Sequence, residues 1–134
     1  MKIELICIEK TKKIEYKNII QDYLKRINRK LDFTIKEIPF VDAKKQTKES
    51  SSIKQINLIK RFIKNKDYVV LLDEEGKSFS SIDFSKWINL KISSRDTKCL
   101  KFIIGGPYGL NKENLNIFHE KISFSKMTFS HQMI

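Results

Sequence analysis

A glycine-rich turn at residues 105–109 is the part of the sequence best suited to hold a small ligand. It reads Gly-Gly-Pro-Tyr-Gly and directly follows Leu100–Ile104, an apolar run with the composition of a buried strand. Glycines there let a ligand approach the main chain and expose amides for hydrogen bonding, and ligands of open α/β sheets bind at the carboxyl ends of strands. The pattern is neither G-x-G-x-x-G nor a Walker A motif, which argues against a dinucleotide or P-loop site. By itself, the turn is more typical of a tight connection between a strand and a helix.

The other residue types that often carry chemistry lack their usual partners. A second strand, Tyr68–Leu72, ends in a carboxylate at Asp73. His119 and His131 have no Glu or Cys at the spacing of a metal site, which argues against zinc. No serine lies in a G-x-S-x-G pattern, so a hydrolase has no local support.

The segment 122–134 has an unusual composition. Its letters, ISFSKMTFSHQMI, are too apolar for a frayed tail and too rich in hydroxyl groups for a core strand. We expect a loop that folds over another part of the molecule or over a ligand.

The positive charge of the chain is unevenly distributed. Lys and Arg number 27 against 16 Asp and Glu, for a net charge of +11. Residues 1–66 hold 18 basic and 8 acidic side chains, whereas residues 67–134 hold 9 and 8. This asymmetry indicates a polyanionic partner such as RNA on the N-terminal part. A general bias toward Lys and Ile explains the choice of lysine over arginine better than it explains the uneven distribution.

Strand-like and helix-like patterns alternate along the chain. Strands are expected at 2–8, 33–38, 68–72, 100–104 and 121–125. Four helices are expected: one at 12–29, a second after a polar loop at 40–52, a third after a capping box at Ser80 and Asp83, and a fourth after a cap at Asn111. The expected buried faces are Tyr16, Ile20, Tyr23 and Ile27 on the first helix, and Ile53, Ile56, Ile59, Phe62 and Ile63 on the second. Residues 73–77 are expected to form a turn. We therefore predict an α/β fold with a mostly parallel sheet and helices on both faces.

The length and the termini favour a single domain at 1–134 in the cytoplasm. No apolar run approaches the length of a membrane span, and the N-terminus lacks the long apolar stretch and cleavage site of a signal peptide. Cys7 and Cys99 stand alone in apolar runs, which is typical of buried thiols in a reducing compartment rather than of a disulfide.

Four segments together make the sequence resemble one known family. They are the strand at 2–8, LDEEGK at 72–77 followed by Ser80-Ser81, FIIGGPYGL at 102–110, and ISFSKMTFSHQM at 122–133. Their order and spacing are those of the ribosomal RNA large subunit methyltransferase H family, the 23S rRNA pseudouridine N3-methyltransferases of the SPOUT class. The resemblance covers essentially the whole chain, and its specificity lies in the combination of segments.

The resemblance implies a function, a cofactor and an assembly. The cofactor would be S-adenosylmethionine, and the reaction methylation of N3 of a pseudouridine in the 23S rRNA of the large ribosomal subunit. The implied cofactor contacts are Leu72, Gly105, Phe124, Ser125, Lys126, Met127, Thr128 and Phe129. The family fold threads its C-terminal part through a loop to form a trefoil knot, and the family acts as a homodimer on the assembled ribosome.

The implied reaction needs a group that removes a proton from the imide N3. His131 is the only plausible titratable group for this task near the expected cofactor loop, so it is the candidate general base. The alternative is a core or supporting histidine. Lysines of residues 10–30 and 44–66 would contact rRNA phosphates, which gives affinity without sequence readout.

The sequence departs from the family pattern at its end. Ser130 stands where a proline usually precedes the histidine, and members of the family continue beyond the position of Ile134 with an arginine, a helix and a terminal Tyr-His segment. Either the sequence is a fragment of a longer protein, or the protein is a degraded copy whose knot and active site lack this helix. An alternative function is therefore a ribosome- or RNA-binding remnant with impaired catalysis; a generic small-molecule α/β binding protein is a third, weaker hypothesis.

Overall fold

A parallel β-sheet forms the centre of the computed structural model, which describes residues 1–39, 47–106, 110 and 116–134. The strands in these residues are β1 (Lys2–Ile8), β2 (Asp32–Ile38), β3 (Asp67–Ser78), β4 (Cys99–Ile104) and β5 (Glu120–Ser123). They lie in the order β2-β1-β4-β3-β5, and every neighbouring pair is parallel. The carboxyl ends of all five strands therefore lie along one edge of the sheet.

Three helices are present in the described residues: α1 (Ile14–Ile27), α2 (Lys48–Lys60) and α3 (Ser81–Ile92). The helix start expected at Ser80 is confirmed, because the Ser80 hydroxyl accepts a hydrogen bond from the Asp83 N–H at 3.1 Å. The same hydroxyl donates to the Asp83 carboxylate at 2.9 Å, in place of the Ser80 N–H that a capping box would use. Thr47 caps α2 in the same way by accepting from the Ser50 N–H at 3.2 Å. Such caps satisfy backbone donors that a helix start leaves without partners.

Helices cover both faces of the sheet, which confirms the predicted α/β architecture. One face packs against Ile59 of α2, and its sheet residues are Ile6, Ile8, Ile38, Val69, Leu71 and Ile103. The opposite face packs against Trp87 of α3, and its sheet residues are Ile3, Val70, Leu100, Phe102 and Ile122. Successive residues of one strand point to opposite faces, so a continuous apolar strand is covered on both sides, as parallel sheets require.

The expected faces of the first two helices are partly wrong. Tyr23 is 55% exposed, and its ring lies under the Arg26 guanidinium at 5.1 Å; Leu24 is half-buried in its place. Ile53 is 47% exposed. The buried positions of α2 include polar residues that a search for apolar spacing does not detect, namely Ser51, Ser52 and Gln55.

Some expected boundaries also differ from the structure. Residues 48–52, expected in a polar loop, form the beginning of α2. The last strand ends at Ser123 rather than at residue 125. The helix expected after Asn111 falls outside the described residues.

Residues 73–77, predicted to be a turn, are part of the long strand β3. Ile122 of β5 pairs with both Leu72 and Lys77. Residues 73–76 between these two positions therefore form a bulge of β3, called the excursion below. Gly76 lies against the main chain of β5, where a Cβ atom would be 2.6 Å from the Ile122 nitrogen. A side chain at this position would separate the two strands.

Both cysteines are free thiols, as the sequence predicted. Burial raises the pKa of Cys7 to about 12, with a further contribution from the negative charge of Glu37. Cys99 is buried, and burial raises its pKa as well. Thiols held in the protonated form in this way are poor nucleophiles.

A buried cation joins three strands in the middle of the sheet. Lys101 of β4 is 5% exposed, and its ammonium lies 2.9 Å from the Glu4 carboxylate and 3.1 Å from that of Asp67. The same group donates a hydrogen bond to the Phe62 carbonyl. Burial alone would lower the pKa of Lys101, but its hydrogen bonds to the two carboxylates outweigh burial and hold that pKa above its usual value.

Replacing this cation should strongly destabilise the fold. Lys101→Met leaves two carboxylates without their partner, and breaking a buried ion pair costs about 3–5 kcal/mol. The folded-state pKa lies above the ordinary value of about 10.4, so the contribution is complete at neutral pH and is lost only as the pH rises through the folded pKa. Urea unfolding at pH 7 measures the loss. Lys98→Met, at an exposed position just before β4, is the matched control, and equal stability of the two variants would contradict the assignment.

Candidate functional site

A cavity of about 720 Å³ opens at the carboxyl edge of the sheet, where β3 and β4 end side by side. Leu72 and Ile104 are partners in the register of these strands, so the chain segments that follow them are neighbours. Three segments form the walls: the end of β3 at 71–75, the glycine turn at 104–106 with Leu110, and the C-terminal loop, defined here as residues 124–134.

Most residues that the sequence singled out come together on this cavity. Those that line it are Leu72, Gly105, Phe124, Ser125, Met127, Thr128, Phe129 and His131. Lys126 is exposed and is not among the lining residues. The remaining members of the predicted glycine turn, Pro107, Tyr108 and Gly109, lie outside the described residues.

The start of the glycine turn is held by a buried side chain of α2. The Gly106 N–H donates to Gln55 Oε1 at 2.8 Å, and Gln55 is completely buried. A Cβ on Gly106 would lie 3.3 Å from three atoms of the Gln55 side chain, so the absence of a side chain allows this approach. Gln55 Nε2 is 3.4 Å from Ser51 Oγ. Sequence reasoning missed Gln55; the available signal was its position between Ser51 and Ile59 on the inner face of the helix.

Hydroxyl groups shape the first half of the C-terminal loop. Ser123 Oγ donates to the Ser125 carbonyl at 2.8 Å, and Ser125 Oγ accepts from the Met127 N–H at 3.0 Å. Thr128 Oγ1 donates to the Glu74 carboxylate at 2.5 Å and thereby ties the loop to the excursion of β3. These contacts explain a composition that suited neither a tail nor a core strand.

Aromatic packing holds the beginning of the loop. The Phe124 ring meets the Phe84 ring of α3 edge-on, with centroids 5.3 Å apart. Phe84 also stacks on Trp87 at 5.9 Å. The loop is therefore attached to the core of one face of the sheet as well as to β3.

A polar cluster fixes the start of β5, from which the C-terminal loop continues. The Glu120 carboxylate accepts hydrogen bonds from Tyr68 at 2.7 Å, from Trp87 at 3.0 Å and from Lys91 at 3.1 Å. Burial alone would raise the pKa of Glu120, but these hydrogen bonds and the Lys91 charge outweigh it and hold that pKa below its usual value. Glu120 is therefore ionised at neutral pH and joins β3, α3 and β5.

The second half of the loop reaches the end of β1. His131 Nδ1 lies 3.2 Å from Glu9 Oε2, and the Lys12 N–H donates to Gln132 Oε1 at 3.4 Å. His131 Nε2 is buried and has no hydrogen-bond partner among the described residues. The cavity wall is thus connected to the segment that leads into α1.

The cavity carries negative charge in a positively charged protein. Asp73, Glu74 and Glu75 all line it, whereas the chain as a whole has a net charge of +11. Many exposed basic groups lie elsewhere, in α1 or next to its ends: Lys13, Lys17, Lys25, Arg26, Arg29 and Lys30. A cationic small ligand and an anionic polymer would therefore be attracted to different surfaces.

Metal and membrane sites find no support in the part of the chain that the structure describes. Within those ranges, no three His, Cys, Asp or Glu side chains converge as a set of metal ligands. In the same residues, no helix combines the length and the apolar character that a membrane crossing needs.

Comparison with known proteins identifies the family. A family model described as "Predicted SPOUT methyltransferase" matches residues 1–134. The chain belongs to the SPOUT methyltransferase family. This confirms the family resemblance inferred from the sequence motifs, and the parallel sheet with helices on both faces agrees with a SPOUT α/β fold.

Relatives of this SPOUT chain carry a more specific name. It is 42% identical over 135 aligned residues to the ribosomal RNA large subunit methyltransferase H of Bacteroides fragilis. The identity is 43% to the protein of that name in Christiangramia forsetii and 40% to that of Flavobacterium johnsoniae. Each alignment covers all of this chain and 85% of the relative. The similarity supports an rRNA methyltransferase.

Removal of the Gln55 side-chain amide should loosen the glycine turn. In Gln55→Leu the buried Gly106 N–H loses its acceptor, which costs about 1–3 kcal/mol. Amide hydrogen exchange should show Gly106 protected in the wild-type SPOUT chain and exchanging at least roughly tenfold faster in the variant. Gln21→Leu, at an exposed position on α1, is the control. Unchanged protection of Gly106 in Gln55→Leu would refute the role of Gln55.

Proposed function

We propose that the cavity binds S-adenosylmethionine and that the chain methylates N3 of a pseudouridine in 23S rRNA of the large ribosomal subunit. The observation that carries the proposal is the convergence of Leu72, Gly105 and the C-terminal loop on one cavity. The family resemblance assigns these same segments to the cofactor, and they are remote from one another in sequence.

The size and charge of the cavity suit this cofactor. Small-molecule sites in proteins measure about 300–1,000 Å³, and this one measures about 720 Å³. S-adenosylmethionine carries a positive sulfonium and a positive ammonium group, for which the carboxylates of Asp73 and Glu74 at the cavity wall are suitable neighbours. Main-chain groups at Gly105 are accessible from the cavity because no side chain covers them.

In the proposed reaction the protein's task is alignment and proton removal. The bound cofactor supplies an electrophilic methyl group. N3 of pseudouridine is an imide nitrogen that becomes nucleophilic when it loses its proton, and His131 is the candidate base because it lines the cavity and its Nε2 has no other described partner. Nε2 would accept the N3 proton, which requires this buried atom to become accessible to the substrate.

The basic surface of α1 is the proposed contact for rRNA phosphates. Its exposed lysines and arginines belong to the half of the chain with the larger charge excess. Phosphate contacts supply affinity, and the ribosomal context supplies the choice of nucleotide. A ribosomal substrate places the protein in the cytoplasm.

A second copy of the chain is the proposed cover for exposed apolar side chains of the C-terminal loop. Phe124, Met127 and Phe129 are 52%, 70% and 43% exposed in this loop, where they also line the cavity. Neighbouring apolar groups of this kind favour association. The homodimer and the trefoil knot that the family resemblance implies remain predictions.

Cofactor binding can be tested by filling the cavity from its wall. Thr128 and Lys126 are both exposed in the C-terminal loop, but only Thr128 lines the cavity. We expect Thr128→Trp to weaken calorimetric binding of S-adenosylmethionine at least roughly tenfold, because the indole occupies ligand space. Lys126→Trp, the matched control, should bind like the wild type.

The reaction is tested on ribosomes that lack the modification. The wild-type chain should transfer labelled methyl to 23S rRNA, and mass spectrometry of digested nucleosides should find N3-methylpseudouridine. Lack of binding of both S-adenosylmethionine and its demethylated product by the wild-type chain would overturn the cofactor proposal. Methyl transfer to a different nucleoside would overturn the substrate proposal and leave the cofactor proposal intact.

The proposed RNA surface predicts a specific salt dependence. Each lysine–phosphate contact contributes roughly 0.7–0.9 to the slope of log K against log salt. The double variant Lys17→Gln, Lys25→Gln should therefore flatten the slope for ribosome binding by roughly 1.4–1.8. The control is Lys86→Gln, Lys98→Gln, which removes two exposed lysines outside α1. Equal slopes for the two double variants would place the RNA contact elsewhere.

A further inference from the structure

Glu9 has an unusual backbone conformation at the carboxyl end of β1. Its φ angle is 126°, in the range that favours glycine over residues with a side chain. The strand hydrogen-bonding continues through this residue, since the Glu9 N–H donates to the Ile38 carbonyl at 2.9 Å. Strain of this kind persists where surrounding contacts maintain it, and it is concentrated at functional sites.

The side chain of Glu9 contacts the candidate base. Glu9 Oε2 is 3.2 Å from His131 Nδ1, and the side chains are 25% and 14% exposed. A carboxylate can only accept, so a hydrogen bond across this distance needs a proton on Nδ1. The neighbouring contact between the Lys12 N–H and Gln132 holds the two segments together beside this pair.

The other ring nitrogen of His131 points to the same tautomer. Nε2 is buried without a partner among the described residues, and an N–H buried without an acceptor is among the least tolerated polar groups. A bare lone pair on Nε2 avoids that cost. In the neutral ring, both nitrogens therefore favour the proton on Nδ1.

We propose that Glu9 is a positioning residue, which holds His131 in the tautomer whose Nε2 can accept the substrate proton. The geometric part of the proposal concerns only Glu9 and His131. Its catalytic part rests on the proposed function, because it needs His131 to act as the base.

The second histidine provides an internal reference. His119 Nδ1 accepts a hydrogen bond from the Val69 N–H at 3.0 Å, so the neutral His119 ring carries its proton on Nε2. The chain has only these two histidines. The proposal thus predicts one ring of each tautomer in the same molecule.

Long-range ¹⁵N–¹H spectra of the histidine rings, recorded on the full chain with both rings neutral, test the geometric part. We expect Nδ1–H for His131 and Nε2–H for His119. In Glu9→Gly the His131 signals should shift to a mixture of tautomers, whereas Glu9→Gln should retain the wild-type pattern because its amide oxygen can still accept from Nδ1–H. An Nε2–H tautomer for His131 in the wild type, or an unchanged pattern in Glu9→Gly, would overturn the proposal.

Two features keep these variants interpretable. Glycine suits the φ of residue 9, so Glu9→Gly should melt no lower than the wild type. Asp96→Gly removes a carboxylate from an exposed segment between α3 and β4 and is the matched control; both histidines should keep their tautomers in it.

Kinetics of methyl transfer test the catalytic part. A general base contributes about 10²–10⁴-fold, and loss of its orientation should lower kcat roughly tenfold or more in Glu9→Gly. The KM for S-adenosylmethionine should change little, and Glu9→Gln should recover much of the rate. A changed tautomer with an unchanged kcat would overturn the catalytic part. An inactive wild type with the expected tautomers would instead count against the proposed function alone.

Discussion

The close pairing of β5 with β3 is the constraint on which the site depends. Gly76 lies so near the main chain of Ile122 that a Cβ could not be accommodated, and Ile122 pairs with β3 on both sides of the excursion at residues 73–76. This pairing sets where β5 ends and therefore where the C-terminal loop starts. The excursion itself becomes a wall of the cavity, and the Thr128–Glu74 hydrogen bond joins it to the loop.

The remaining walls follow from the parallel sheet. Because β3 and β4 are parallel neighbours, Leu72 and the glycine turn lie side by side although they are far apart in sequence. Gln55 of α2 holds the glycine turn by accepting a hydrogen bond from the Gly106 N–H. The cavity is thus assembled from three segments that are remote in sequence. Hydrogen bonds join the glycine turn to α2 and the C-terminal loop to β3.

The features predicted correctly from sequence are those with a local signal. β1 shows its period of two, the helix cap at Ser80 shows its spacing of three, and the buried strand Leu100–Ile104 shows its apolar run. Two of the errors share one cause, which is dependence on contacts far away in the chain. Residues 73–77 have the letters of a turn but belong to β3 because β5 pairs with this strand on both sides of residues 73–76, and Gln55 is buried because it meets a glycine 51 residues away. The cofactor assignments came from the family resemblance, since neither period nor spacing marks Phe124 or Thr128 as part of a site.

The central claim is that the three segments form one binding site for S-adenosylmethionine. Chemical-shift mapping of the backbone amides during titration with this compound tests it most directly, because it reports on all walls at once. The account predicts saturable shifts at Leu72, at Gly105 and Gly106, and along the C-terminal loop, with little change in α1. Saturable binding with shifts confined to surfaces away from the cavity, or to only one of the three segments, would contradict it.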